Sequence, residues 1–106
     1  IMYKIFITDE FKRDFNKYDK SIQDQIEKVI EQLKSNPYAG KQLNYKFFRE
    51  KKIGNYRIYY LIYDKYVVVS IVALSKKRNQ QQIIDKIKML FPYYEEEIKK
   101  RFNLKI

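Results

Sequence analysis

The feature that most limits what this chain can fold into is a pair of β-rich runs in its middle, residues 56–63 and 66–74, joined by Asp64 and Lys65 alone. Both are filled with β-branched and aromatic residues, the composition of paired strands. So short a polar break predicts an antiparallel hairpin, in which residues equidistant from the turn lie opposite one another. The outer ends carry Lys51, Lys52 and Arg57 on one side and Lys76, Lys77 and Arg78 on the other. Closure at Asp64-Lys65 sets Arg57 opposite the stretch 70–74, and the second basic run lands just past it. One hairpin thus predicts a dense cationic patch.

Gly54-Asn55 marks a tight turn before the first of these strands, so residues 43–52 supply a third strand and the three form an antiparallel meander. Alternation places Arg57, Tyr59, Leu61 and Tyr63 on one face of the 56–63 strand and Tyr56, Ile58, Tyr60 and Ile62 on the other. The second set suits a helical layer, leaving Arg57 exposed on the opposite face. The run 67–74 is apolar on both faces, as in a central strand.

Upstream, residues 2–7 read as a short strand. Thr8 is a candidate N-cap with Asp9 and Glu10 behind it, and Phe11, Phe15 and Tyr18 recur at helical spacing. Asp19 or Ser21 opens a second helix with Ile22, Ile26, Val29, Ile30 and Leu33 on one stripe, stopped at Asn36-Pro37. Downstream, residues 79–91 are helical in spacing. Pro92 interrupts them, and Tyr94, Ile98, Phe102 and Ile106 predict an additional amphipathic helix at about 92–106 that packs on the domain's own sheet or yields its place to a partner. The expectation is one α+β domain over 1–106: an N-terminal strand, a two-helix hairpin, and a three-stranded meander completing a four-stranded sheet, with helices on one face and C-terminal helices last.

The net charge of +10 is unevenly distributed. Residues 1–36 hold 7 basic and 7 acidic side chains, residues 37–91 hold 12 and 3, and residues 92–106 hold 4 and 3, giving sums of 0, +9 and +1. Segregation of this kind predicts a polyanionic partner. Without Cys or His the chain has no thiolate or imidazole chemistry and no metal spacing, and no cofactor is expected. No apolar run approaches a membrane span, so a cytoplasmic protein with no membrane partner is expected. With only two glycines there is no phosphate-cradling loop. What remains is Arg and Lys beside tyrosines. Such a cluster grips phosphate and stacks bases, or stabilises the charge that builds when a ribose 2′-hydroxyl attacks its own phosphodiester, a reaction that needs no metal.

Gly54-Asn55-Tyr56-Arg57-Ile58-Tyr59-Tyr60, with Arg49 to Lys52 before it, Val67-Val68-Val69 after it and then Ser75-Lys76-Lys77-Arg78, resembles the RelE/ParE superfamily of type II toxin-antitoxin toxins. That resemblance covers roughly residues 2–90 in element order. It implies a small toxin neutralised by a cognate acidic antitoxin. In the RelE branch the activity is cleavage of mRNA on the ribosome; in the ParE branch the target is DNA gyrase, and a non-catalytic RNA- or ribosome-binding module also fits the basic face. By the same resemblance, Arg57 holds the scissile phosphate and Lys77 stands at a second catalytic arginine position with Arg78 one step away. Lys51 and Lys52 stand for the basic residues before the glycine, although Glu50 occupies one expected basic position. The catalytic set is therefore Arg57, Lys77, Arg78 and Lys52, and the nucleic-acid-binding set Arg49, Lys51, Lys52, Lys76 and Tyr59. A tyrosine that many ribosome-dependent members carry at the start of the last helix is replaced by Ile83.

Overall fold

A computed structural model describes residues 1–102. Strand β1 (Lys4–Ile7) leads into helices α1 (Asp9–Phe15) and α2 (Lys20–Leu33), then a single 3-10 turn, Pro37–Ala39. Strands β2 (Lys41–Leu43), β3 (Tyr45–Ile53), β4 (Tyr56–Tyr63) and β5 (Val68–Lys76) follow, and a second 3-10 turn, Lys77–Asn79, opens into α3 (Gln80–Met89) and α4 (Phe91–Arg101). The helix starts are where the sequence puts them. Thr8 Oγ1 accepts from the Phe11 amide at 3.2 Å and donates to the Val72 carbonyl, so it caps α1 and fastens it to β5. Asp19, rather than Ser21, caps α2 through the Ile22 amide.

The α+β class holds, and the sheet gains a strand. Its order is β1-β5-β4-β3-β2, with β1 parallel to β5 and the rest antiparallel. Residues 43–52 do not form one strand: Asn44, at φ 68°, reverses the chain and splits off β2, which folds back on β3. The β4–β5 connection also differs from the two-residue break. Residues 64–67 form the turn, closed by bonds from the Tyr66 and Val67 amides to the Tyr63 and Asp64 carbonyls, with Val67 at φ 56°. The hydroxyls of Tyr3 and Tyr38 both donate to the Asp64 carboxylate, pinning this turn and holding the Asp64 pKa below its ordinary value. A bulge near Tyr59 and Tyr60 adds one more residue to β5. Turn and bulge together move the register so that Arg57 pairs with Ser75, beyond the expected 70–74.

Helices cover both faces of the sheet, not one. Ile58, Tyr60 and Ile62 of β4 pack with Phe11, Ile26 and Leu33 of the first helix pair. Tyr59 and Leu61 pack on the other side with Ile84, Ile87 and Tyr94. A helix break at Leu90, two residues before Pro92, turns α4 across this second face, where Tyr94 and Ile98 are buried and the Phe102 ring meets Phe6 edge-on. The last residue of the expected stripe, Ile106, lies outside the described residues.

So aromatic a core makes stability depend on alkaline pH. Burial pushes the hydroxyls of Tyr60 and Tyr94 up to about 12 and drives that of Tyr63 higher still. A raised folded-state pKa means that folding favours the protonated phenol. The contribution is complete below the unfolded value of about 10 and disappears as pH rises through about 12. The expected result is a cooperative loss of circular dichroism between about pH 10 and pH 12, coincident with tyrosinate absorbance. Gradual ionisation of all eleven tyrosines with the dichroism intact would contradict it.

Candidate functional site: a cationic groove

The tight turn at Gly54-Asn55, with Gly54 at φ 54°, pairs Ile53 with Tyr56 and so places Lys52 opposite Arg57 on the α3 side of the sheet. A backbone bond from the Lys77 amide to the Asn55 carbonyl, 2.9 Å, draws the 3-10 turn after β5 against the same β-turn. Between them lies a depression of about 500 Å³, lined among others by Lys41, Glu50, Lys52, Arg57, Lys77 and Gln80. It adjoins a second of about 490 Å³ that shares Lys41, Glu50, Lys77 and Gln80 and extends past Arg78 to Asn44 and Ile84. Together they make a groove between β2 and the start of α3.

Arg57 sits in its floor. Contrary to the sequence expectation it is not exposed: only 6% of the residue is accessible, enclosed by Glu50, the Gly54-Asn55 turn, and Lys77 and Gln80 at the start of α3. Its Nε lies 3.4 Å from Glu50 Oε2, and Nη1 donates to the carbonyls of Gly54 and Tyr56 at 3.1 and 3.0 Å. Glu50, 4% accessible, is held in turn by Gln80, whose Nε2 donates to both carboxylate oxygens at 2.6 and 2.7 Å. Nε and Nη1 are committed, while Nη2 has no protein partner among the described residues. The guanidinium is thus fixed on one side with a donor left over.

The groove gathers most of the expected cations. Lys52, Lys77 and Arg78 are exposed along its rim, and Lys51 lines it where β2 has ended and β3 is the sheet edge. Lys76 is half-buried on β5, paired with Tyr56. Two residues of the binding set are employed elsewhere. Arg49 donates to the carbonyls of Lys46 and Gly40 at 2.9 and 3.0 Å and lies over the Tyr38 ring, so it stitches the Pro37–Ala39 turn to β3. Tyr59 is fully buried with its hydroxyl 2.9 Å from Ser75 Oγ, and burial raises its pKa, so it offers no ring to a base. Ile83 is half-buried in the core beneath α3 and brings no hydroxyl.

Among the groove residues that the sequence does not single out for this role are Glu50, Gln80 and Lys41. Pairing across Gly54-Asn55 offers a signal for Glu50, because it shares a face with Lys52 and Arg57. Nothing local marks Gln80 or Lys41, which enter through α3 and the unexpected β2. Gly40 forms part of the same wall. Its amide donates to Tyr60 Oη at 3.0 Å, and an added Cβ would collide with that hydroxyl and come within 2.6 Å of the Glu50 carbonyl. Among the described residues no cluster of acidic side chains could hold a metal ion, and no helix is long and apolar enough to cross a membrane.

Comparison with known proteins places this arrangement. No curated protein sequence matches the chain significantly. Its fold is similar to that of a free double mutant of the E. coli toxin RelE, with a TM-score of 0.72 at 18% identity over 86% of this chain and 100% of that one. It is also similar to a chain of the toxin-antitoxin complex RelBE2 from Mycobacterium tuberculosis, with a TM-score of 0.65 at 23% identity over 73% and 100% of the respective chains. For the archaeal RelE-RelB complex from Pyrococcus horikoshii OT3 the values are 0.66, 16%, 73% and 97%. At these identities the likeness establishes the fold. The sequence itself carries the family: residues 5–81, from β1 to the first turn of α3, match the model described as the ParE toxin of the type II toxin-antitoxin system parDE. With that match spanning about three quarters of the chain, including strands β2 to β5 and the cations of the groove, the chain belongs to the ParE toxin family of type II toxin-antitoxin systems, within the RelE/ParE superfamily.

Proposed function

We propose that this toxin is an endoribonuclease of the RelE kind, which takes a phosphodiester of mRNA on the ribosome into the groove and cleaves it without a metal. The observation that supports this reading is the half-committed Arg57 guanidinium in a groove rimmed by Lys52, Lys77 and Arg78. In the reaction the 2′-hydroxyl gives up its proton, its oxygen attacks the adjacent phosphorus, and the 5′-oxygen leaves with a proton. The products are a 2′,3′-cyclic phosphate and a 5′-hydroxyl. Charge accumulates on the non-bridging oxygens, which Arg57 and Lys77 would meet with donors already in place. The proton acceptor that the groove offers is the Glu50 carboxylate.

A cognate acidic antitoxin is the partner we assign, by analogy with the antitoxin complexes of the M. tuberculosis and P. horikoshii toxins and by charge: the segment 37–91 carries +9. One observation favours a second reading, ParE-like inhibition of DNA gyrase. Glu50 is tied to Arg57 and Gln80, and Ile83 supplies no proton, so proton transfer is the step the groove provides for least, and gyrase inhibition does not need it. Induction in cells decides between them. New 5′ ends on translated messages by primer extension are expected; growth arrest with intact messages and failing DNA supercoiling would overturn cleavage in favour of gyrase. If the groove takes RNA, binding to single-stranded RNA in vitro should weaken with salt, each phosphate contact adding roughly 0.7 to the slope of log affinity on log salt.

A further inference from the structure

The groove does not end in polar surface. At its far end Leu43, which lines it, pairs with Tyr45 across the Asn44 reversal. There Tyr45 is 46% and Phe47 37% exposed. Their rings are 5.3 Å apart, and each stands against Phe91 at the start of α4, at 5.5 and 5.2 Å. Phe91 in turn rests on the fully buried Phe48 at 5.5 Å. The exposed pair is therefore a platform backed by the core. Lys46, between the two rings in sequence, reaches instead over the Tyr38 ring, so the positive charge that accompanies the platform is that of the groove it adjoins.

We propose that Tyr45 and Phe47 form a base-stacking subsite for single-stranded RNA, continuous with the phosphate-binding groove. This rests on the reading of that groove as an RNA site. A strand whose phosphate lies at Arg57 has to leave the groove, and β3 gives the distance. Lys52, opposite Arg57, is seven residues from Tyr45, about 23 Å at ~3.3 Å per residue. The subsite therefore takes a base several nucleotides from the one at Arg57. Cationic track followed by exposed aromatic rings is the arrangement that binds single strands, since every base has a face to stack and the backbone supplies the charge. It also gives the ring role to side chains that are accessible, unlike Tyr59.

The test compares a uridine octanucleotide with an abasic ribose-phosphate octamer of equal charge, on wild type, Tyr45→Ala, Phe47→Ala and Tyr45→Trp. Wild type is expected to bind the base-bearing strand roughly tenfold or more tightly than the abasic one, the effect of one or two stacks. Tyr45→Ala and Phe47→Ala should each remove most of that preference with the salt slope unchanged, and Tyr45→Trp should retain it. Circular dichroism and the retained affinity for the abasic strand show that the variants fold. If wild type binds both oligomers equally, the stacking subsite is wrong while the phosphate groove survives; if it binds neither, the groove reading fails and the subsite with it. Loss of self-association or of antitoxin binding in the alanine variants, with RNA preference intact, would assign the platform to protein contact and overturn the proposal.

Discussion

Arg57→Lys is expected to reduce toxicity by on the order of a hundredfold or more while leaving a folded protein, because what the substitution removes is geometry rather than charge. Lysine keeps a cation opposite Glu50, so the buried pair is not abandoned. It cannot place one nitrogen on the Gly54 and Tyr56 carbonyls, another on Glu50 and a third toward the groove. The lost bonds to the two carbonyls should lower stability by only about 1–2 kcal/mol. Growth arrest on induction and the yield of new 5′ ends measure the effect, with thermal unfolding as the control. Full toxicity of a folded Arg57→Lys protein would remove Arg57 from the role of phosphate clamp in both the nuclease and the gyrase readings.

Glu50→Gln is expected to be the more damaging change to the fold. With side chains 8% and 4% accessible, Arg57 and Glu50 form a pair largely out of water, and removing one member leaves the other's charge uncompensated. Such losses run to ~3–5 kcal/mol; Arg57 also lines the open groove, so roughly 3 kcal/mol is expected, a fall of about 10–20 °C in Tm. Two further measurements give this its meaning. Arg57→Met combined with Glu50→Gln should recover much of the loss, since neither partner is then stranded; strictly additive costs would show that the two side chains are not coupled. The Glu50→Gln protein should also be stabilised by single-stranded RNA more than wild type is, because phosphate then becomes the counter-charge that Arg57 lacks. If RNA affinity rises as cleavage disappears, Glu50 is the proton acceptor as well.

Much of the fold was legible because its signals are local. Thr8, Asp19, Asn36-Pro37, Gly54-Asn55 and Pro92 mark boundaries within a residue or two of where the chain turns, and alternation in β4 sorts its residues correctly between faces. What alternation does not contain is what lies on each face. Alternation alone leaves Arg57 and Tyr59 on an open surface, because nothing near them in sequence announces that α3, beginning some twenty residues later, and α4 after it fold back over that side of the sheet. The same missing layer hid Gln80's grip on Glu50. Two further departures lie in turns: Val67 in a left-handed conformation is an exception to the preference of a β-branched residue, held by the Asp64 contacts, whereas Asn44, a residue that accepts that conformation, reverses the chain and splits β2 from β3.

The pairing of β1 with β5 has a kinetic consequence. Lys4 lies beside Val68 and Ile7 beside Ile71, so the first strand made waits for the last before it has a partner, and closing that loop adds an entropic barrier that local hairpins do not face. The meander β3–β4–β5, joined by short turns, assembles without it. During synthesis β3 and β4 can therefore pair as they emerge, while the sheet, the anchoring of α1 through Thr8 and the groove wall supplied by Lys77 and Gln80 are completed only once β5 and the residues after it have left the ribosome. Slowing that last step, by weakening Ile5 or Ile7, should lengthen the interval between translation of the toxin and the first damage it does, without altering the finished site.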